Sequence, residues 1–359
     1  MPAAAPVHAQ RFAAGADLLV PFHFDLPLEP IEVGGALVFV GHDMQTRASR
    51  SLRVTGATAT AAPGLDGLDR VAGATACGGA RWLVTAASHP GQGFLEWTVR
   101  DERARAVWSS PRGATDVALQ CPAGTLVVGY ATYVADAELV TQTLAPRRGP
   151  VRRVASGPHG LVPAIRWISR TPDEIFVATT DPETGTAELM RVARATITHR
   201  RPLTRWTLPL LAIIGDAVLV AEDREGRLIA LDHRDLTTAS EIVVADDGQL
   251  NALRAGPRGV VAVLTDDALP RGARGLERPQ RPVHVSADGR RQSVDDRHMR
   301  TLRLWTPRAR ALGDPIDLGT AMTVTGWLGD AFYVWQASEE DPATGRRTST
   351  RLRRFALVD

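Results

Sequence analysis

The chain has 359 residues, 44% of them apolar and 23% charged, with a formal net charge of +2. That length suits two average domains or one large all-β domain, and the near-neutral balance lacks the electrostatic footprint of a nucleic-acid binder. All 42 basic residues are arginine, which excludes P-loop NTPases, kinases and Schiff-base enzymes of the usual kinds, because their chemistry needs a lysine amine.

Taken in chain order, the elements repeat. A strand-like run, HAQRFAA (8–14), comes first. Then follow seven units built alike: IEVGGALVFVGHD (31–43), ATACGGARWLVTAAS (74–88), VALQCPAGTLVVGYAT (117–132), AIRWISRTPDEIFVATTD (164–181), LLAIIGDAVLVAED (210–223), NALRAGPRGVVAVLTDD (251–267) and MTVTGWLGDAFYVWQASEE (322–340). Each is a short apolar strand, a tight turn rich in Gly or Asp, and a second strand of β-branched and aromatic residues. A third strand usually follows, such as AELVTQTLA or RLIALDHRD, and then a weaker fourth, such as RAVWSS, PVRRVAS or EIVVADD. The acidic turns between second and third strands, Glu222 to Gly226 among them, read as turn formers: Asp opens the turn and Gly takes positive φ.

Four strands per unit at a spacing of about 40 to 50 residues is the pattern of a β-propeller. The last unit ends after its third strand, so the run at 7–14 is expected to complete it and close the ring. The fold expectation is one all-β domain, a seven-bladed β-propeller. Its blades fall near 28–70, 71–112, 113–155, 156–205, 206–246, 247–319 and 320–359 plus 7–14. As architecture the chain resembles propellers of the WD40 and PQQ-like repeat kind. AEDREGRLIALDHRD looks like one PQQ-like repeat, with an acidic-Gly turn followed by an ALD strand. The Gly-His and Trp-Asp dipeptides of WD40 repeats do not recur in register.

In such a fold the loops joining strands two and three share a face with the blade-to-blade connections, and ligands usually bind there by analogy with other propellers. On that map His42 and His89 end second strands, while His23, His159 and His199 fall in blade connections. His42, His89, His159 and His199 are the candidates for acid-base chemistry. Asp43 beside His42 is the one adjacent carboxylate to orient a ring. No metal and no cofactor is expected. His284, Asp296 and His298 do not have diagnostic ligand spacing.

Residues 268–298 form a long insertion between the second and third strands of blade six. Equivalent loops elsewhere run about four to ten residues, and a structureless loop this long is usually a lid, a binding loop or a solvated segment. Eight arginines crowd the region, Arg271, Arg274, Arg278, Arg281, Arg290, Arg291, Arg297 and Arg300, against four acids. Arg274, Arg278, Arg281, Arg290, Arg291 and Arg297 are the binding candidates, suited to gripping a carboxylate, a phosphate or an acidic partner. VHVSADGRRQSV is expected to form a hairpin turning at Asp288-Gly289.

No run of eighteen apolar residues occurs, so no membrane span is expected. The N-terminus lacks the basic start and apolar block of a secretory signal, making the cytoplasm the expected location. Cys77 and Cys121 hold equivalent positions in adjacent blades and are expected to be buried free thiols there. Trp82, Trp97, Trp108, Trp167, Trp327 and Trp335 are expected to pack between blades. No GxSxG, HExxH, CxxC or GxGxxG pattern is present. The functional expectation is a monomeric cytoplasmic scaffold that binds a protein partner or an anionic small molecule, with no nucleic-acid or membrane partner. The alternative is a propeller enzyme, a lyase, cyclase or isomerase, with histidines above the central channel.

Overall fold

A computed structural model describes residues 11–20, 26–42, 48–62, 64–65, 68, 70–88, 95–132, 137–157, 164–180, 186–203, 209–222, 227–244, 249–267, 284–285, 291–292, 299–305, 312, 314–319, 323–337 and 350–358. Among these residues the regular elements are strands and single 3-10 turns. Among the described residues no helix is long and apolar enough to cross a membrane.

Six four-stranded antiparallel blades follow in chain order. Blade A holds Arg70–Cys77, Ala80–Ser88, Leu95–Arg100 and Ala106–Ser109; blade B holds Ala114–Gln120, Leu126–Thr132, Ala137–Ala145 and Val151–Gly157. Blade C holds Ala164–Thr171, Glu174–Thr180, Ala187–Ala193 and Thr196–Leu203; blade D holds Leu210–Ile214, Ala217–Glu222, Arg227–Asp232 and Thr238–Val243. Blade E holds Gln249–Ala255, Val261–Asp267, Met299–Trp305 and Ile316–Gly319. Blade F holds Thr323–Leu328, Ala331–Ala337 and Thr350–Val358, completed by Arg11–Leu18 from the start of the chain.

The expectation of a seven-bladed propeller is therefore corrected: among the described residues six sheets have the four-stranded form of a blade, and the chain's first sheet is built differently. In this five-stranded entry sheet, Leu26–Pro27 and Ile31–Val33 both pair with Ala36–His42, which is followed by Ser49–Thr55 and Thr58–Ala62. Proline is the physical cause. Pro27 and Pro30 supply no N–H, so the inner strand cannot run unbroken and parts at Glu29-Pro30. The entry sheet packs between blades F and A, sharing one apolar layer with each.

Every sheet lies face to face with its neighbours, so the middle strands are covered on both faces. This is why second strands read as continuous apolar runs rather than alternating ones. Phe39, Val84, Val128, Phe176, Leu219, Val263 and Val334 are all fully buried. The outer strand of blade C, with one free edge, keeps a strict alternation of exposed and half-buried residues. Small residues let the blades approach. A Cβ on Gly129 would lie 2.2 Å from Cζ2 of Trp167, and one on Gly256 would lie 2.5 Å from Cε2 of Trp327. The tryptophans thus pack between blades as expected, Trp167 in the layer between blades B and C.

The ring closes through the N-terminal strand as expected. Of the run 7–14, residues 11–14 pair with the last strand and the pairing continues to Leu18, from Arg11↔Val358 to Leu18↔Leu352, while residues 7–10 lie outside the described residues. Phe12 anchors it, with its ring centroid 5.4 Å from that of Phe332 and 5.7 Å from those of Trp327 and Phe355.

The cysteines are also corrected. Cys77 and Cys121 form a disulfide with a Cα–Cα distance of 5.4 Å. Each ends the inner strand of its blade, and adjacent blades bring those ends within bridging reach.

Candidate functional site

The ring has two faces. The loop face carries the connections between strands two and three and between sheets. The turn face carries the tight turns between strands one and two and between strands three and four. Most of the sequence-predicted residues lie outside the described residues: His23, Asp43, His89, His159, Asp296, His298, Arg271, Arg274, Arg278, Arg281, Arg290 and Arg297. His42 is the last residue of its strand, paired through the backbone with Leu26 and Ser49. The expected hairpin in the insertion is present as two short paired segments, with His284 opposite Gln292 and Val285 opposite Arg291. Arg300 lies in the third strand of blade E, paired with Asp266.

His199 is placed differently from the expectation. It sits in the outer strand of blade C opposite Arg191, with Nδ1 3.3 Å from Thr198 Oγ1. The strand Thr196–Leu203 continues through THRRP because Pro202 occupies an outer edge, where a missing N–H costs no ladder bond. His199 is therefore not part of a blade-to-blade connection.

The best-defined polar cluster was not legible in the sequence. It joins turns of blades C and D on the turn face. Glu174 and His233 are buried. Glu174 Oε1 accepts from Arg191 Nε at 2.9 Å, and its Oε2 lies 3.3 Å from Arg170 Nη1. Arg170 also donates from Nη2 to Asp216 Oδ1 at 2.7 Å, and its Nη1 lies 3.1 Å from His233 Nδ1. His233 has Glu174 Oε1 at 3.3 Å from Nδ1 and Asp216 Oδ1 at 3.5 Å from Nε2. Burial by itself would raise the Glu174 carboxyl, but the bonds from Arg191, His233 and Arg170 outweigh it and hold the group below its usual range. His233 follows the ALD strand in a stretch that reads only as a turn, and no local signal marks it.

Arg170 connects this cluster to the channel. A cavity of 620 Å³ opens among the inner strands of blades C, D and E. Arg166, Arg170 and Arg254 line it together with Glu29, Ser169 and apolar residues that include Leu210, Leu211 and Ile213. Inner strands pair on one side only, so their other edges need partners. Side chains of the preceding blade supply several. The Gln120 carboxamide of blade B donates to Trp167 O at 2.8 Å and accepts from Ser169 N at 2.6 Å, copying the pairing of a strand. Arg166 of blade C donates to Pro209 O at 3.2 Å, and Arg254 of blade E donates to Thr325 O of blade F at 3.2 Å.

Among the described residues no group of three or more His, Cys, Asp or Glu is arranged to hold a metal ion. The cavity can take a small molecule by size, and its guanidinium groups suit an anion.

The architecture is that of a β-propeller. No protein-family model matches the chain, and no curated protein matches it. Solved structures do. The WD40 β-propeller domain of Doa1 matches with a TM-score of 0.58 at 10% identity, over 96% of this chain and 97% of that one. BBS1N, in complex with ARL6DN, matches with a TM-score of 0.56 at 10% identity, over 97% of both chains. The β-propeller domain of Cps50 (Swd1) from Myceliophteria thermophila matches with a TM-score of 0.53 at 11% identity, over 97% of this chain and all of that one. At such identities the likeness is one of fold.

Proposed function

We propose that the chain is a binding propeller that holds a protein partner on its loop face, with the arginine-rich insertion 268–298 gripping acidic groups of that partner. The observation that carries this reading is the register around the insertion. Pairing runs without a shift from Val261↔Trp305 to Asp267↔Met299. The blade is complete on both sides of the excursion, so its strands do not need the inserted residues. A segment free of that duty, set on a rigid frame, is a common place for binding function. Arg274, Arg278, Arg281, Arg290, Arg291 and Arg297 would supply planar forks for carboxylates. The fold likeness to BBS1N, solved in complex with ARL6DN, supports protein binding as the broad class.

The test replaces 270–297 with a short Gly-Ser turn and compares partner capture from the native host. Partner capture should be lost and the melting temperature should hold within about 2 °C, since the strands that flank the insertion pair with each other without it. Identical partner lists with and without the insertion would sink the proposal. A cytoplasmic home for this module has the Cys77–Cys121 bridge against it, because disulfides persist mainly in oxidising compartments. A fusion to alkaline phosphatase, active only where its own disulfides form, separates the two settings.

A further inference from the structure

Pro30 seats against blade F at Gly326, where a Cβ would lie 2.4 Å from Pro30 Cγ. Beside it, at the break in the entry sheet's inner strand, Glu29 reaches into the channel. Its Oε1 meets Arg254 Nη2 of blade E at 2.8 Å. The pair joins two sheets that are not neighbours, since blade F lies between them. Arg254 reaches across along blade F, donating from Nε to Thr325 O at 3.2 Å, while its Nη1 donates to Leu253 O at 3.1 Å. Two carbonyls therefore fix the guanidinium, and Nη2 is left aimed at a carboxylate.

That carboxylate is held loosely. The Glu29 side chain is 74% exposed, against 21% for Arg254. An exposed partner in an ion pair gains little from it and is readily exchanged for another anion. Both residues line the 620 Å³ cavity, which falls in the size range of small-ligand sites. Ile168, Leu210, Leu211 and Ile213 add apolar surface to a lining that also holds Arg166, Ser169 and Arg170. A fixed guanidinium beside such a mixed lining matches an acid with an apolar body, which uses both kinds of surface, better than a bare inorganic anion, which uses one.

We propose that the channel cavity is a binding site for a small organic carboxylate with an apolar body, received by Arg254, and that Glu29 is the chain's own competitor for that arginine. None of the described residues that line the cavity belongs to the insertion. The chain lacking 270–297 binds the acid as the full chain does, so failure of one reading leaves the other intact.

The experiment is calorimetric titration of the full chain with phenylacetate, with inorganic phosphate as the probe that carries charge without an apolar body. Glu29→Gln should tighten phenylacetate binding at least fivefold. Arg254→Gln in the Glu29→Gln background should abolish it while far-UV and near-UV circular dichroism stay unchanged. Equal affinity of the wild type and Glu29→Gln for phenylacetate overturns the proposal, as does phosphate binding as tight as phenylacetate. If Arg254→Gln does not fold, the Glu29 variant alone decides, because an exposed Glu→Gln change leaves the frame intact.

Discussion

Reduction of the Cys77–Cys121 bridge should lower the stability of the ring by a calculable amount. The bridge spans a sequence separation of 44 residues. Closing a loop of that length removes roughly 13 cal/mol/K from the unfolded chain, or about 4 kcal/mol at 25 °C. The bridged ends belong to adjacent inner strands, and the apolar layer between blades A and B stays in place without it. The loss should therefore appear as lower stability of the same fold. An unfolding entropy of about 2 cal/mol/K per residue turns 4 kcal/mol into a fall in Tm of about 5 °C for a chain of this size. Differential scanning calorimetry with and without a phosphine reductant measures it, beside a Cys77→Ser, Cys121→Ser double variant that reductant should not affect. A wild type whose Tm is unchanged by reduction, with free thiols confirmed by titration, would refute the entropic account.

Gly129→Ala should destabilise the chain by about 1–3 kcal/mol in urea unfolding, since its Cβ would overlap the Trp167 ring of the next blade. Phe12→Ala should cost about 2 kcal/mol, somewhat under the usual range for a fully buried Phe, and should speed proteolysis of the N-terminal strand first; a chain cut elsewhere first would speak against Phe12 as the ring's anchor. Glu174 has a folded-state pKa below its unfolded value, so its contribution is present above the unfolded pKa, near 4.5, and is lost as pH falls through the folded value. Glu174→Gln should accordingly be less stable than wild type at pH 7, by about 1–3 kcal/mol, with the gap closing below about pH 4.5; a gap constant from pH 7 to pH 3 would remove the carboxylate from the account.

What the sequence by itself determined is the local pairing. Glycine and aspartate turns, such as Gly78-Gly79 and Gly215-Asp216, bring each first strand back against its second, and both pairings appear as read. The complementary ends of the chain likewise specified a closing strand, which pairs through Arg11–Leu18 and carries Phe12 into the cluster of Trp327, Phe332 and Phe355. These are contacts between elements whose pairing the turns and the chain ends dictate. The tertiary structure decided what depends on how sheets sit around the ring. It seated Pro30 of the entry sheet against Gly326 at the opposite end of the chain. It joined Cys77 to Cys121 across a blade boundary. It gathered Arg170, Glu174, Asp216 and His233 from three separate turns, and it brought Glu29 to Arg254 past an intervening blade. Cys77 and Cys121, Glu29 and Arg254, and the blade C and blade D members of the polar cluster come from strands that do not pair with one another, so no local period or turn chemistry encodes their meeting. Only the angular stacking of one sheet on the next does.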